Sequence, residues 1–236
     1  MESVWWVFKE LWEKELIYQD YKVLPYSWAA STPLSNFEAN MDYREVEDPS
    51  IYFTLNARDD FNDVQKGDKF LVWTTTPWCI PGNLAIAVGK NIEYSRVSLN
   101  DQFYWIATER LHELKDYDTE VILTCTGKEL LGATYIPAYE EYESLFSDGA
   151  FRLIHSDDTN TESGSGLVSQ APAYGESDFY ALKNSGIEVI ADPVTLSGKF
   201  DNTFNELEGM NVKDADNKIM KQLKERGSLF SQKTEM

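Results

Sequence analysis

The sequence predicts a β-rich α+β fold, in which a barrel-like sheet carries a few peripheral helices. Short segments rich in β-branched and aromatic residues recur between residues 51 and 155, a composition typical of strands. Turn signals such as Pro81-Gly82-Asn83 separate them. Several short strands at this spacing, with few helices between them, indicate a barrel-like domain. The predicted strands span residues 51–55, 69–75, 84–88, 92–99, 104–107, 120–126 and 151–155.

The amino-terminal residues 3–17 predict a helix with one bulky apolar face. Six large side chains share that face at helical spacing, namely Val4, Trp5, Phe8, Leu11, Trp12 and Leu16. We expect the face to pack against something large, supplied by this chain or by a longer protein from which it was cut. Residues 21–26 then predict a strand closed by Pro25, and residues 27–50 predict a polar connecting loop.

The later part of the chain predicts two further helices and one more strand. Residues 108–115 predict a short helix that a threonine begins, and residues 188–190 predict a strand. Residues 214–226 predict a helix that begins at an aspartate and ends before a glycine. Its helical spacing predicts that Ile219 and Leu223 face the core.

The composition excludes several classes of protein. The 236 residues carry 40 acidic and 21 basic side chains, for a net charge of −19. This acidity argues against a protein whose affinity comes from covering phosphates, and it is typical of a well-solvated surface. No apolar run reaches the roughly 18 residues of a membrane span. Cys79 and Cys125 are too few for a disulfide framework or a thiolate zinc site, so we expect a reducing, cytoplasmic setting and no metal. We also expect no membrane partner and no cofactor.

Residues 164–186, GSGLVSQAPAYGESDFYALKNSG, combine a flexible turn with a carboxylate at a helix start. Small residues open the stretch, Leu167 and Val168 predict a short buried strand, and Pro172 forces an extended turn. A helix follows, with Asp178 in its first turn. An aspartate there most often caps its helix, but beside exposed backbone amides it also suits an ammonium-bearing ligand. Spacing alone does not choose between these roles.

A second unusual stretch, residues 72–83, reads VWTTTPWCIPGN. Thr74, Thr75 and Thr76 run from the end of an apolar strand into a proline turn. Their hydroxyls donate and accept hydrogen bonds, so they can hold a polar substrate or a water without adding charge. Trp78 between two turn segments would form a rigid apolar wall. The simpler alternative is a strand edge with threonine at favoured positions.

Together, the two stretches closely resemble the editing insertion of isoleucyl-tRNA synthetases, a connective polypeptide set into the class I catalytic domain. TTTPWCIPGN at residues 74–83 resembles the family pattern TTTPWTLPGN, and GSGLVSQAPAYGESD at residues 164–178 resembles GTGIVHQAPAFGEDD. The valyl and leucyl enzymes usually carry arginine after the threonine pair, so Thr76 points to the isoleucyl branch. The resemblance covers nearly the whole chain. The ATP-binding HIGH and KMSKS signatures are not in this sequence, so we do not expect the chain to activate an amino acid by itself.

The resemblance implies an organisation and a function. Residues 1–48 correspond to a helical and strand-like stem from the catalytic domain, residues 49–212 to the editing domain, and residues 213–236 to a closing helix and return strand. The implied activity is hydrolysis of Val-tRNA(Ile), with water attacking the aminoacyl ester. A pocket for isoleucine cannot strongly reject valine, which lacks one methylene, so a second and smaller site is needed.

The partners that the resemblance implies are the aminoacylated 3′ end of tRNA(Ile), its valine moiety and the remainder of the synthetase in cis. No cofactor is implied, and the isolated domain is expected to be a monomer.

The resemblance also assigns roles to individual residues. Asp178 corresponds to the family aspartate that pairs with the α-ammonium of the aminoacyl group. Thr74, Thr75 and Thr76 correspond to a threonine-rich wall around the side chain and the terminal ribose. The other implied substrate-binding residues are Trp78, Gly164, Ser165, Gly166, Ser169 and Tyr174. Backbone amides near residues 164–166 are candidates to stabilise the tetrahedral oxyanion.

The chain departs from the family pattern at a few positions. Ser169 replaces a histidine, Cys79 replaces a threonine, and Thr195 stands where an aspartate is common. His112 and His155 lie away from both stretches, so ligands and the substrate's own ribose hydroxyl would orient the water in place of a protein base. The alternative is a degenerate domain that binds the aminoacyl end, or only scaffolds the synthetase, without efficient hydrolysis.

Overall fold

The computed structural model describes residues 1–41 and 47–235, and in this part of the chain eleven strands alternate with five α-helices. The strands are β1 Tyr26–Ser27, β2 Thr32–Pro33, β3 Asp48–Asn56, β4 Lys69–Thr74, β5 Ala85–Val88, β6 Glu93–Leu99, β7 Gln102–Ala107, β8 Glu120–Thr126, β9 Arg152–His155, β10 Val168–Gln170 and β11 Leu229–Glu235. The α-helices are α1 Glu2–Glu13, α2 Asn36–Ala39, α3 Gly127–Leu130, α4 Glu176–Asn184 and α5 Val212–Glu225. Three 3₁₀ helices span Pro77–Gly82, Thr108–Leu114 and Glu143–Asp148.

Nine of these strands form one mixed sheet that carries the helices on its periphery. Its central path runs β8-β6-β7-β4-β10-β5-β9, while β3 pairs with β4 and β11 pairs with β3. The pairs β4–β7, β4–β10 and β5–β9 are parallel, and the others are antiparallel. The predicted β-rich α+β class is therefore confirmed.

Strand β4 is the branching point of the sheet. One of its edges pairs with β3 along its whole length, from Lys69 to Thr74. Its other edge is divided, because Lys69 and Phe70 pair with β7 while Trp73 pairs with Val168 of β10. The sheet therefore splits beside β4, and the end of β4 is left next to the short strand β10.

The hydrophobic core lies on both faces of β4, because Phe70 and Val72 belong to one cluster of buried side chains and Leu71 to another. All four residues of β5 are buried, as their continuous apolar sequence predicts for a strand covered on both faces. Helix α5 packs against the 3₁₀ helix Pro77–Gly82. Its residues Ile219 and Leu223 face the core, as predicted.

Three local predictions need correction. Only Tyr26 of the strand predicted at residues 21–26 lies in a strand, and residues 188–190 form no strand, because β-forming composition yields a strand only where a neighbouring edge is available. The short helix predicted at residues 108–115 is present as a 3₁₀ helix, Thr108–Leu114. Helix α1 ends at Glu13, and none of its residues is buried by the described part of the chain. Residues 42–46 of the predicted loop, and Met236, lie outside the described residues.

No helix among the described residues has the length and apolarity needed to cross a bilayer.

A buried ion pair joins the start of β4 to the neighbouring strands. The Asp68 carboxylate accepts two hydrogen bonds from the Arg96 guanidinium, each of 2.8 Å, and one of 3.0 Å from the Trp105 indole N–H. Both Asp68 and Arg96 are almost fully buried. The three side chains come from the turn before β4, from β6 and from β7, so they hold that side of the sheet together.

Asp68→Ala should lower the free energy of unfolding by about 3–5 kcal/mol, because it leaves the Arg96 charge buried without its partner. Urea denaturation measures this change. The exposed Asp63 in the same connection provides the control, and Asp63→Ala should change stability by less than about 0.5 kcal/mol. Equal losses in the two variants would contradict a structural role for the ion pair.

Candidate active site

The two unusual stretches of the sequence meet where β4 and β10 end. Val168 of β10 pairs in parallel with Trp73 of β4, and the Trp73 N–H donates to the carbonyl of Leu167 at 3.0 Å. Parallel neighbours run in the same direction, so both strands deliver their following residues to the same edge of the sheet. The threonines after Trp73 and the segment from Ser169 to Ala171 therefore emerge side by side.

The threonine run forms a compact hydroxyl cluster at this edge. Thr74 is 8% exposed, and its hydroxyl oxygen accepts the Thr76 N–H at 3.1 Å. The hydroxyl oxygens of Thr74 and Thr76 are 3.3 Å apart. Thr76 is also the N-cap of the 3₁₀ helix Pro77–Gly82, but its side chain makes no capping hydrogen bond. The Thr76 hydroxyl therefore contacts the Thr74 hydroxyl and the Cys79 thiol, and it does not cap the 3₁₀ helix.

Asp178 ties the first turn of α4 back to the end of β10. Its Oδ2 accepts the Ala171 N–H at 2.8 Å, and the Ser177 hydroxyl lies 3.4 Å from its Oδ1. The N-cap of α4 is Gly175, and the helix has no side-chain cap. Asp178 therefore does not serve as the N-cap of α4 and instead satisfies a backbone donor at the strand end.

The Asp178 carboxylate lies in a low-dielectric setting. Burial raises its pKa, against the lowering effect of the hydrogen bonds from Ala171 and Ser177. The carboxylate of Asp158, from the polar loop after β9, adds a further raising effect. Near the same edge, burial raises the pKa of the Cys79 thiol to about 12, against the lowering effect of its hydrogen bond with Thr76, and repulsion from Asp178 and Asp216 adds to the rise. Cys79 is therefore a neutral thiol at physiological pH and not a thiolate nucleophile.

Ser169 is held by a residue that the sequence did not single out for the site. The side-chain amide of Asn83 donates to the Ser169 hydroxyl at 2.9 Å and to the carbonyl of Ala85 at 2.8 Å. The buried Tyr135 hydroxyl in turn donates to Asn83 Oδ1 at 2.6 Å. The only sequence signal for Asn83 was its place in a proline-glycine-asparagine turn, which predicted a turn and no more.

Trp78 and Tyr174 form an aromatic wall. Their ring centroids are 4.8 Å apart with planes tilted by 58°, and the Tyr174 hydroxyl donates to Asp192 at 3.2 Å. Both rings line a cleft of about 710 Å³ that also contacts Tyr21 and Tyr26 of the amino-terminal segment. The two rings thus form one wall of this cleft, whose lining includes neither Thr74–Thr76 nor Asp178.

The glycine turn before β10 serves close packing. Gly164 has φ +66°, and a Cβ there would lie 2.6 Å from the Trp73 ring, so neither the backbone nor the space admits a side chain. Arg110 donates to the carbonyl of Gly164 at 2.7 Å, and the Tyr94 hydroxyl donates to that of Gly166 at 2.7 Å.

Ser165 of the same turn is fully buried, and its hydroxyl donates to the carbonyl of Leu167 at 3.1 Å. The turn thus precedes β10, whereas the contact between Ala171 and Asp178 follows it. The structure does not bring residues 164–166 to the end of the strand where Asp178 lies. The oxyanion role predicted for them therefore gains no support from the geometry.

Asp216 of α5 is a second contact residue that the sequence did not predict for the site. Its Oδ1 accepts the Trp78 N–H at 2.8 Å, across 138 residues of chain, and the residue is only 5% exposed. Burial raises the pKa of Asp216 from 3.8 to about 6, although the Trp78 hydrogen bond and Lys213 oppose the shift. Its place on the inner face of a predicted helix was the only available signal.

Comparison with known proteins defines the class of the fold. The solved structure of the P. knowlesi cytosolic leucyl-tRNA synthetase editing domain matches 80% of this chain and 97% of its own, with a TM-score of 0.58 and 9% sequence identity. The chain therefore has the fold of an editing domain.

Sequence comparison gives the family. The model for class I tRNA synthetases (I, L, M and V) matches residues 1–231, and the chain belongs to that family. It is 42% identical over 238 residues to the isoleucine–tRNA ligase of Protochlamydia amoebophila, and 43% identical over 239 residues to that of Bdellovibrio bacteriovorus. Each match covers 99% of this chain and 22% of the relative. The resemblance to the editing domain of isoleucyl-tRNA synthetases is confirmed.

Asp216→Asn should stabilise the protein at neutral pH. Because the pKa of Asp216 is higher in the folded than in the unfolded chain, its contribution to stability is complete at low pH and is lost as the pH rises through about 6. The amide keeps an acceptor for Trp78 without the buried charge. We expect a gain on the order of 1–2 kcal/mol near pH 7.5, and none near pH 4.

Urea denaturation at the two pH values measures the difference. A gain of equal size at both would contradict the cause that we assign to it.

Proposed function

We propose that the chain hydrolyses the ester of Val-tRNA(Ile), with water as the nucleophile. The observation that carries this proposal is that the threonine run and the segment held by Asp178 follow the ends of two neighbouring parallel strands. Membership in the class I tRNA synthetases and the 42–43% identity to two isoleucine–tRNA ligases support it.

Asp178 would anchor the α-ammonium of the aminoacyl group. Its Oδ2 accepts the Ala171 N–H at 2.8 Å, which fixes the carboxylate, and its Oδ1 lies 3.4 Å from the Ser177 hydroxyl. A charge-assisted hydrogen bond to an ammonium is short and directional, and burial strengthens it. The ester would thereby be aimed at the threonine hydroxyls.

The threonine hydroxyls would hold the terminal ribose and the attacking water. Water attacks the ester carbonyl carbon, the bond from that carbon to the ribose oxygen breaks, and a proton from the attacking water passes to the departing ribose oxygen. In the described part of the chain, no histidine is hydrogen-bonded to these hydroxyls or to Asp178. The neighbouring ribose hydroxyl of the substrate would therefore relay the proton.

The discrimination between valine and isoleucine would be steric. Trp78 is packed on Tyr174, and Thr74 is held in place by the Thr76 N–H, so neither wall yields easily. One additional methylene in a tight and rigid pocket costs about 1–3 kcal/mol, which is sufficient to exclude the larger side chain from most encounters.

The proposed partners follow from this proposed hydrolysis of Val-tRNA(Ile). The aminoacylated 3′ end of tRNA(Ile) would enter with its valine moiety, while the remainder of a synthetase in cis would hold the tRNA body. The net charge of −19 favours this division, because an acidic chain gains little from the phosphates of a tRNA.

We propose residues 1–48 as the stem towards that remainder, residues 49–212 as the editing domain, and residues 213–236 as its closing segment. The domain would be a monomer by itself.

A second candidate is binding of the aminoacyl end without efficient turnover. Its basis is Ser169, whose hydroxyl accepts a hydrogen bond from Asn83 at 2.9 Å and has little basicity. In this case the site would retain its anchor and its walls but lack a group that activates water.

Asp178→Asn and Asp178→Ala test the anchor. The amide of Asp178→Asn can still accept the Ala171 N–H but cannot pair with an ammonium, so both variants should lower kcat/KM for Val-tRNA(Ile) by about 10- to 100-fold. Deacylation of radiolabelled Val-tRNA(Ile), beside Ile-tRNA(Ile), measures this. Glu176→Gln, at an exposed acid of the same helical turn, is the matched control and should act like the parent. Parental rates in Asp178→Ala would refute the assignment.

Ser169→His distinguishes turnover from binding alone. If the parent binds without turnover, the imidazole should raise hydrolysis of Val-tRNA(Ile) by about 100-fold or more, the scale of general base catalysis. If the parent is already active, the change should be within about threefold. Single-turnover rates give the answer, and Ser144→His, at an exposed position in the 3₁₀ helix Glu143–Asp148, provides a control for an added imidazole.

A further inference from the structure

We propose that Asp216 is a positioning residue of this site, which caps the 3₁₀ helix Pro77–Gly82 from α5 and thereby releases the Thr76 hydroxyl from capping. The inference rests on the proposed function, because it assigns a use to the released hydroxyl. It concerns a residue that touches the turn and not the substrate.

The capping argument starts from the unpaired donors of a helix start. The first N–H groups of a helix have no partner within it, and a threonine at the N-cap ordinarily accepts one of them. Here Pro77 has no N–H, and the next donor, the Trp78 N–H, goes to Asp216 at 2.8 Å. Thr76 makes no capping bond and lies 3.3 Å from the Thr74 hydroxyl. The remote carboxylate thus performs the task that Thr76 would otherwise take.

The charge of Asp216 argues for a use beyond stability. The residue is 5% exposed and its carboxylate is costly to ionise there. The charged and titratable groups around it are Lys213 on α5, Asp48 on β3 and the Cys79 thiol on the 3₁₀ helix. Lys213 pairs with Asp48 at 2.6 Å, so it does not neutralise Asp216 directly. An ionised carboxylate is a stronger acceptor for the Trp78 N–H than any neutral side chain.

The same geometry gives a pH dependence. Because burial raises the pKa of Asp216 to about 6, protonation weakens its hold on Trp78 in mildly acidic solution. Thr76, as the N-cap residue, is then placed to accept the Trp78 N–H, and a turn of its side chain towards that donor would remove a hydroxyl from the cluster.

The experiment compares Asp216→Ala and Asp216→Asn with the parent. Asp216→Ala should lower kcat for Val-tRNA(Ile) deacylation by about tenfold and leave KM within about twofold, as expected when positioning and not binding is lost. Asp216→Asn should lose about three- to fivefold in kcat near pH 7.5, less than Asp216→Ala, because its neutral amide accepts the Trp78 N–H less strongly than a carboxylate does. Its rate relative to the parent should rise as the pH falls to about 5. Asp214→Ala, an exposed acid in the first turn of the same helix, should match the parent.

A double-mutant cycle tests the link to Thr76. In a Thr76→Val background, Asp216→Ala should lower the rate by less than about twofold, because the hydroxyl that it positions is already absent. A full tenfold loss in both backgrounds would overturn the proposal.

A readout independent of catalysis separates this inference from the proposed function. With ¹⁵N-tryptophan labelling, the chain gives seven backbone tryptophan amides, and Trp78→Phe identifies that of Trp78. Its resonance should titrate with a midpoint near pH 6 in the parent, stay constant with pH in Asp216→Asn, and move upfield in Asp216→Ala. A Trp78 amide chemical shift that changes neither with pH nor in Asp216→Ala would overturn the capping contact. If instead the parent fails to deacylate, the proposed function falls, and the amide titration alone decides whether Asp216 caps the turn.

Discussion

The divided edge of β4 is the constraint on which the rest of the structure depends. A strand edge offers one set of donors and acceptors at each residue, so β7 and β10 can share it only by pairing with different parts of it. This division brings the short strand β10 beside the end of β4. The threonine run and the segment that leads to Asp178 become neighbours as a direct result, although about 90 residues separate them along the chain.

Remote polar side chains then satisfy the backbone and the hydroxyls at this edge. Asp178 accepts the Ala171 N–H, Asp216 accepts the Trp78 N–H, and Asn83 donates to Ser169. Buried donors must be paired, and pairing them with side chains from other elements leaves local groups unengaged. Two of the three partners are carboxylates whose pKa burial raises. The site therefore retains charges that its stability at neutral pH would disfavour, a common feature of functional sites.

Local patterns predicted most strands well, and their failures have one physical cause. The strands from β3 to β9 lie within a few residues of their predicted places, because alternation and turn signals are written locally. Residues 21–26 and 188–190 have similar composition but find no complete neighbouring edge. Helix α1 is a second example, because its periodicity predicted the helix but not what covers it. Its apolar face stays exposed in the described part of the chain.

The sequence by itself determined the β-rich class, the family resemblance and the residues of the two stretches, because these properties depend on residue type and short spacing. Only the tertiary structure decided that Asp178 holds a strand end in place of capping its helix, and that the glycine turn packs under Trp73 at the far end of β10. It alone revealed Asp216 and Asn83. Contacts across 138 and 86 residues depend on how helices and strands pack, and no local pattern encodes that packing.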